Sequence, residues 1–140
     1  MSTTETATTE AAPAGNLNAV GMSIALTVKD LSTSLDFYTN GLGFEVQEKH
    51  EFEGEVRYIQ MSAGNAQLGI GQDDFAKGHD RAKGVGFRIW LNTSQDVYEL
   101  AERAKTAGIE LAEEAQEMPW GGHSFAVVDP DGFNLSIASP

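Results

Sequence analysis

The sequence predicts an α+β fold made of two copies of a strand–helix–three-strand (βαβββ) module, and three observations carry that prediction. The order strand, capped helix, glycine stop, strand occurs twice, once in each half of the chain. The intervals agree: Leu26 to Gly43 spans 17 positions and Ile89 to Gly108 spans 19, so a two-residue insertion superposes the halves. The chain also ends on strand, tight turn, strand, at Val127-Val128-Asp129-Pro130-Asp131-Gly132-Phe133-Asn134-Leu135-Ser136-Ile137-Ala138. Pro130 sets φ for a turn, and Asp131-Gly132 supplies a capping carboxylate and a positive-φ position. Beyond the turn, Phe133, Leu135 and Ile137 alternate with Asn134, Ser136 and Ala138, giving one apolar face and one small, polar face.

The elements follow in order. Residues 24–28 read as a strand and 32–40 as a helix capped by Asp30 or Ser32, with Gly43 at the left-handed stop. Strands 44–50, 56–61 and 66–71 complete the first module. In the second, strand 87–91 leads to helix 94–107, capped by Thr93 or Ser94 and stopped at Gly108. Strands 109–112, 123–128 and 133–138 follow. Leu35, Tyr38 and Leu42 on one helix, and Val97, Leu100 and Ala104 on the other, give each an apolar stripe to lay on one side of its sheet. The other side stays free. Residues 1–18 are rich in Thr, Ala and Glu and read as a disordered tail; residues 19–140 form a single domain, with modules at 20–72 and 84–140 and a linker at 73–83.

Composition narrows the function. The chain has no cysteine, which removes disulfides, thiolate metal sites and cysteine nucleophiles. No apolar run approaches the ~20 residues of a membrane helix, and the N-terminus lacks a signal peptide's basic start and apolar core, so a cytoplasmic location is the default. A net charge of −12, from 21 acidic and 9 basic residues, argues against nucleic-acid binding. That charge either favours a cationic partner or simply keeps the protein in solution. No Gly-x-Ser-x-Gly elbow is present, and Gly69-Ile70-Gly71 lacks the rest of a phosphate-cradling fingerprint.

The run Leu26-Thr27-Val28-Lys29-Asp30, the turn Asp129-Pro130-Asp131-Gly132 and the internal repeat resemble the vicinal oxygen chelate superfamily of glyoxalases, extradiol dioxygenases and bleomycin-resistance proteins. The resemblance covers residues 20–140 and implies that the two βαβββ modules form a cupped mixed β-sheet, the glyoxalase/bleomycin-resistance-like fold. Members of this superfamily that do chemistry hold a divalent metal with side chains from four strands. The matching positions here are Ser23, Gly69, Gly86 and Ser136, none of them a good ligand. A one-residue shift of register brings in Ile24, Leu68, Val85 or Leu135, which are no better. The expectation is therefore no metal and no cofactor, as in the superfamily's drug-binding branch, with a homodimer carrying two clefts.

Period-two alternation sets Arg88 and Trp90 on the face of Gly86, a platform for a planar molecule unless Trp90 instead fills the sheet interface and Arg88 an ion pair. Trp120, in Met118-Pro119-Trp120-Gly121-Gly122-His123, either covers the cup mouth or plugs a sheet end. His123 is the best candidate acid or base, while His50 and His79 read as solvent-facing. Tyr58 or its neighbour Arg57 must point into the cup, since neighbours on a strand alternate; Ser23 and Ser136 line it too, and Phe52 and Phe75 stand as aromatic walls. The function expected is metal-independent binding or sequestration of a small aromatic molecule, of which a cationic drug is one kind. The rival is a glyoxalase-type lyase or isomerase, or a dioxygenase, with metal ligands outside the usual four positions or a metal-free acid–base site built around His123 and carboxylates such as Glu117. Binding of a metabolite for regulation needs only the same cleft.

Overall fold

The computed structural model describes residues 15–140, so residues 1–14 of the tail expected over 1–18 lie outside the described residues, and residues 15–18 are exposed and form neither helix nor strand. The first module runs β1 (Ser23–Val28), α1 (Leu31–Asp36), a π-helical turn (Phe37–Gly41), β2 (Glu45–Phe52), β3 (Glu55–Ala63) and β4 (Ala66–Gln72). The second runs β5 (Ile89–Asn92), α2 (Val97–Thr106), β6 (Glu113–Glu117), β7 (His123–Val128) and β8 (Asn134–Ser139). Each module forms its own four-stranded mixed sheet, in the orders β1-β4-β3-β2 and β5-β8-β7-β6. The outer pairs β1/β4 and β5/β8 are parallel and the rest antiparallel, so the same βαβββ topology appears twice.

Several boundaries differ from expectation. The first helix leaves α geometry at Phe37 and finishes in the wider turn, where Thr39 Oγ1 donates to Leu35 O at 2.7 Å. Asp30 holds the N-cap position, but its carboxylate takes the Thr33 and Ser32 hydroxyls instead of a backbone N–H. The second helix starts later than expected: Asp96, not Thr93 or Ser94, caps it by accepting from Tyr98 N at 2.9 Å. Thr93 is spent one turn earlier, accepting from Gln95 N. Gly108 takes φ +97° as the helix stop, with Ile109 N bonded to Ala104 O.

The strand expected at 109–112 lies instead at Glu113–Glu117. Ile109 and Leu111 pack against the core, with Ile109 Cδ1 filling the space beside Gly41. The charged run after them becomes the edge strand, since an edge tolerates carboxylates and repels other strands. β2, the outer edge of the first sheet, is exposed along its whole length for the same reason.

The modules meet through their helix-bearing sides. Leu26, Val28, Tyr38 and Phe44 from the first share one core with Val97, Phe125, Val127 and Leu135 from the second. Tyr38 is fully buried, edge-on to Phe37 and Phe44, and its hydroxyl donates to Asp129 Oδ2 at 2.7 Å. Lys83, from the connecting segment, has its amine 2.9 Å from Asp73 Oδ2 and 3.4 Å from Asp131 Oδ2, with all three side chains buried. Arg81 also reaches Asp73 Oδ2, at 3.4 Å. With helices and core between the sheets, the open face of each sheet points outward.

Candidate functional site

Register assigns the residues of each open face. On the first sheet, Thr27, Gly71, Tyr58 and His50 form one row, Ala25, Gly69, Gln60 and Glu48 the next, and Ser23, Gln67, Ser62 and Glu45 a third. On the second, Trp90, Ser136, Ala126 and Glu113 stand in one row, and Asn92, Ala138, Ser124 and Gln116 in the next. Glu114, between them on β6, pairs with Lys105 of α2 at 2.7 Å, which fixes it on the helix side.

The first face is an amide and hydroxyl surface. Tyr58 Oη donates to Gln60 Oε1 at 3.1 Å, Gln60 Nε2 to Gln67 Oε1 at 3.4 Å, and Gln47 Nε2 to Ser62 Oγ at 2.8 Å. The Tyr58 ring lies across the sheet so closely that a Cβ on Gly69 would overlap its hydroxyl. Gln60 and Gln67 were not among the expected residues. The period-two run Tyr58, Gln60, Ser62 carried that signal.

The second face carries Arg88 and Trp90. Arg88 Nη1 donates to Ser136 Oγ at 3.0 Å, and Trp90, directly paired with Ser136, leaves 48% of its surface exposed. Beneath them Ser124, Ala126 and Ser136 form a floor of small, buried residues. Arg88 makes no ion pair among the described residues.

The structure separates the remaining expected site residues from these two. His123 shares the helix-side face of β7 with Phe125 and Val127; its Nδ1 lies 3.0 Å from the Tyr98 hydroxyl on α2. Trp120 stands 71% exposed at the tip of the β6–β7 hairpin, beyond the end of β8 opposite to Arg88. Ser23 is exposed on the first sheet, one row from Gly69. Tyr58 belongs to that sheet too, so within one chain it and Arg88 line different faces. Of the aromatic walls, Phe52 is exposed at a hairpin, while Phe75 stacks on His79 at 4.2 Å in the connecting segment.

The four positions matching the superfamily's metal ligands do not fit a metal. The Tyr58 ring takes up the space over Gly69, and a guanidinium cation sits on Ser136. Gly86 lies before β5 with φ +86°, a conformation that strains any side chain, so alternation along the strand does not extend back to it. Among the described residues, no three His, Asp or Glu side chains converge as a metal site.

Enclosed space lies elsewhere. A groove of about 640 Å³ runs between the modules on the helix side, lined by Phe44, Leu91, Leu100, Phe125 and Ile137 and bordered by Trp90. It includes neither Arg88 nor Tyr58. Each open face, uncovered in a single chain, is a surface and not a cavity.

Two βαβββ modules, each with a helix-covered face and an open, polar face, define a protein of the glyoxalase/bleomycin-resistance fold. The chain belongs to the Glyoxalase/Bleomycin resistance protein/Dioxygenase superfamily, which it matches over residues 22–137. It is 26% identical over 101 residues to the uncharacterised protein YetH of Bacillus subtilis (strain 168), covering 70% of this chain and 80% of that one. Its fold is similar to that of TioX from Micromonospora sp. ML1, with a TM-score of 0.70 and 20% identity over 86% of this chain and 98% of the other. It is also similar to a glyoxalase-related enzyme from Fulvimarina pelagi, with a TM-score of 0.66 and 25% identity over 89% of each chain. No helix among the described residues is long and apolar enough to cross a membrane.

Proposed function

We propose that this protein binds a small planar molecule without a metal, in a cup that two copies of the chain complete together. The observation that carries the reading is the pairing of half-exposed Trp90 with Arg88 over the small, buried floor of Ser124, Ala126 and Ser136. An aromatic plate beside a multivalent hydrogen-bond donor recognises flat, polar molecules, and binding alone is enough for sequestration in the cytoplasm. Since the open faces of one chain point apart, a second copy supplies the opposite wall. The first sheet's Tyr58, Gln60 and Gln67 then face the Arg88 and Trp90 of the neighbouring copy, giving two equivalent clefts per homodimer. Ser23, at the exposed edge of the first sheet, joins the rim.

The experiment is sedimentation of the purified protein together with a tryptophan-fluorescence titration against planar aromatic compounds. A dimer whose affinity falls about tenfold or more in Trp90→Ala, and little in Trp120→Ala, is the expected result. A monomer that binds with full affinity, or a Trp90→Ala variant that binds as the wild type does, overturns the reading. The second reading, an enzyme, draws support from the likeness to the Fulvimarina pelagi glyoxalase-related enzyme. A metal-free acid–base site at His123 has the disadvantage that this ring faces α2, beside Tyr98 and away from Arg88. One equivalent of metal retained through dialysis favours the enzyme.

A further inference from the structure

Arg88 also defines the ligand's charge. In a chain with 21 acidic and 9 basic residues, Arg88, like Arg103, has no carboxylate partner among the described residues, and unlike Arg103 it stands beside an exposed Trp over an open sheet face. Among the described residues its one hydrogen bond goes to Ser136, a neutral acceptor, which leaves four of its roughly five N–H donors unspent. The strands of its own sheet place one carboxylate on the open face, Glu113, three strands away at about 14 Å by strand spacing. Asp129 and Asp131, at the nearby turn, are occupied by Tyr38 and by Lys29 N and Lys83. Asn134, one row from Ser136 on the same face, adds an amide but no charge.

We infer that Arg88 is a receptor for an anionic group, and that this site takes a planar aromatic acid, a carboxylate or a phenolate beside a carbonyl, and not a basic drug. The inference rests on the small-molecule reading above. A guanidinium offers paired, coplanar donors that match two adjacent oxygens. Ser136 holds one end of that fork, so part of its freedom is already lost before the ligand arrives. Trp90, two residues on along the same strand face, stacks on the ring that carries the oxygens. The overall negative charge opposes such a ligand only at long range, where salt screens it within about 10 Å.

The test uses three probes of similar size: salicylate, benzamide and benzylammonium. Each is titrated by fluorescence and calorimetry into the wild type, Arg88→Met, Arg88→Lys and Trp90→Ala, with thermal melting to verify folding. The expected order is salicylate tightest. Arg88→Met weakens salicylate by roughly tenfold to a hundredfold while benzamide changes little, and Arg88→Lys recovers part of the loss. Benzylammonium binding as tightly as salicylate overturns the inference, as does salicylate affinity unchanged in Arg88→Met; sensitivity to Trp90→Ala in those cases leaves the small-molecule reading standing. If Arg88→Met disperses the dimer at unchanged salicylate affinity, the arginine serves a carboxylate of the second copy, and the inference fails. Binding of none of the three overturns both readings.

Discussion

Asp129 has both carboxylate oxygens engaged in a nearly sealed site. Oδ1 accepts from Asp131 N and Phe133 N, both at 2.8 Å, and Oδ2 accepts from the Tyr38 hydroxyl. Burial pushes its pKa up, only partly offset by those hydrogen bonds, and burial beside Asp129 likewise raises that of Tyr38. The sign follows directly. A carboxylate whose folded pKa lies above its unfolded value of about 3.9 opposes folding once it ionises, and that opposition fades as pH falls through the folded pKa. Asp129→Asn keeps the Oδ1 acceptor and can donate to Tyr38 Oη, so its stability at neutral pH stays within about 1 kcal/mol of the wild type. Asp129→Ala orphans the buried hydroxyl and two N–H groups and loses about 2–4 kcal/mol. Urea denaturation of the two variants measures the contrast, and equal losses would contradict this account.

Strand and helix periodicity made most of the fold legible. β7 falls at 123–128 as expected, and β1, β3, β4 and β8 within two residues of the expected bounds. The miss at β6 has a clear cause. Ile109-Glu110-Leu111 alternates like a strand, yet alternation records only that two side chains share a buried face, which a connector under the π-helical turn satisfies equally. The site was less legible, because whether a strand face is covered depends on how the modules pack. Alternation put Arg88 and Trp90 on one face, and the register adds that Trp90 pairs with Ser136 there. His123 was not, because its orientation depends on Tyr98 from a separate helix. Gly69 illustrates a constraint between neighbouring strands. Any side chain there must displace the Tyr58 ring, so Gly69→Ala lowers the melting temperature, breaks the Tyr58–Gln60 contact and costs about 1–3 kcal/mol as overpacking. Recovery of stability in Gly69→Ala/Tyr58→Phe beyond additivity checks the cause, and an unaltered melt in Gly69→Ala would disprove it.

Lys83, with only 5% of its side chain exposed, ties the end of the first module at Asp73 to the turn of the second at Asp131. The Lys83 hydrogen bond is the main cause holding Asp73 below the ordinary carboxylate pKa, with Phe75 N–H and Arg81 assisting. A lowered folded pKa gives stability that is complete above the unfolded value of about 3.9 and is lost as pH falls through the folded one. Lys83→Met removes the ammonium shared by Asp73 and Asp131, leaving the first to Phe75 N and Arg81 and the second to Lys29 N, and lowers the denaturation midpoint at neutral pH. It also flattens the loss of stability on the acid side, since Asp73 then titrates closer to its unfolded value. Denaturation midpoints collected from neutral pH into the acid range test both effects. An unchanged acid limb would mean that Phe75 N–H and Arg81 hold Asp73 ionised without Lys83.

Each helix buries one face in the core the modules share, so buried surface unites the two halves of the chain more than the thread joining them does. A break among the exposed residues 76–80 leaves those surfaces in contact, and the halves remain one body. A single half, by contrast, would carry Tyr38 and Phe44 uncovered and persist only by embracing another copy of itself. On this geometry the doubled chain is a pair of interdependent halves, sharing one core and made permanent by a covalent join.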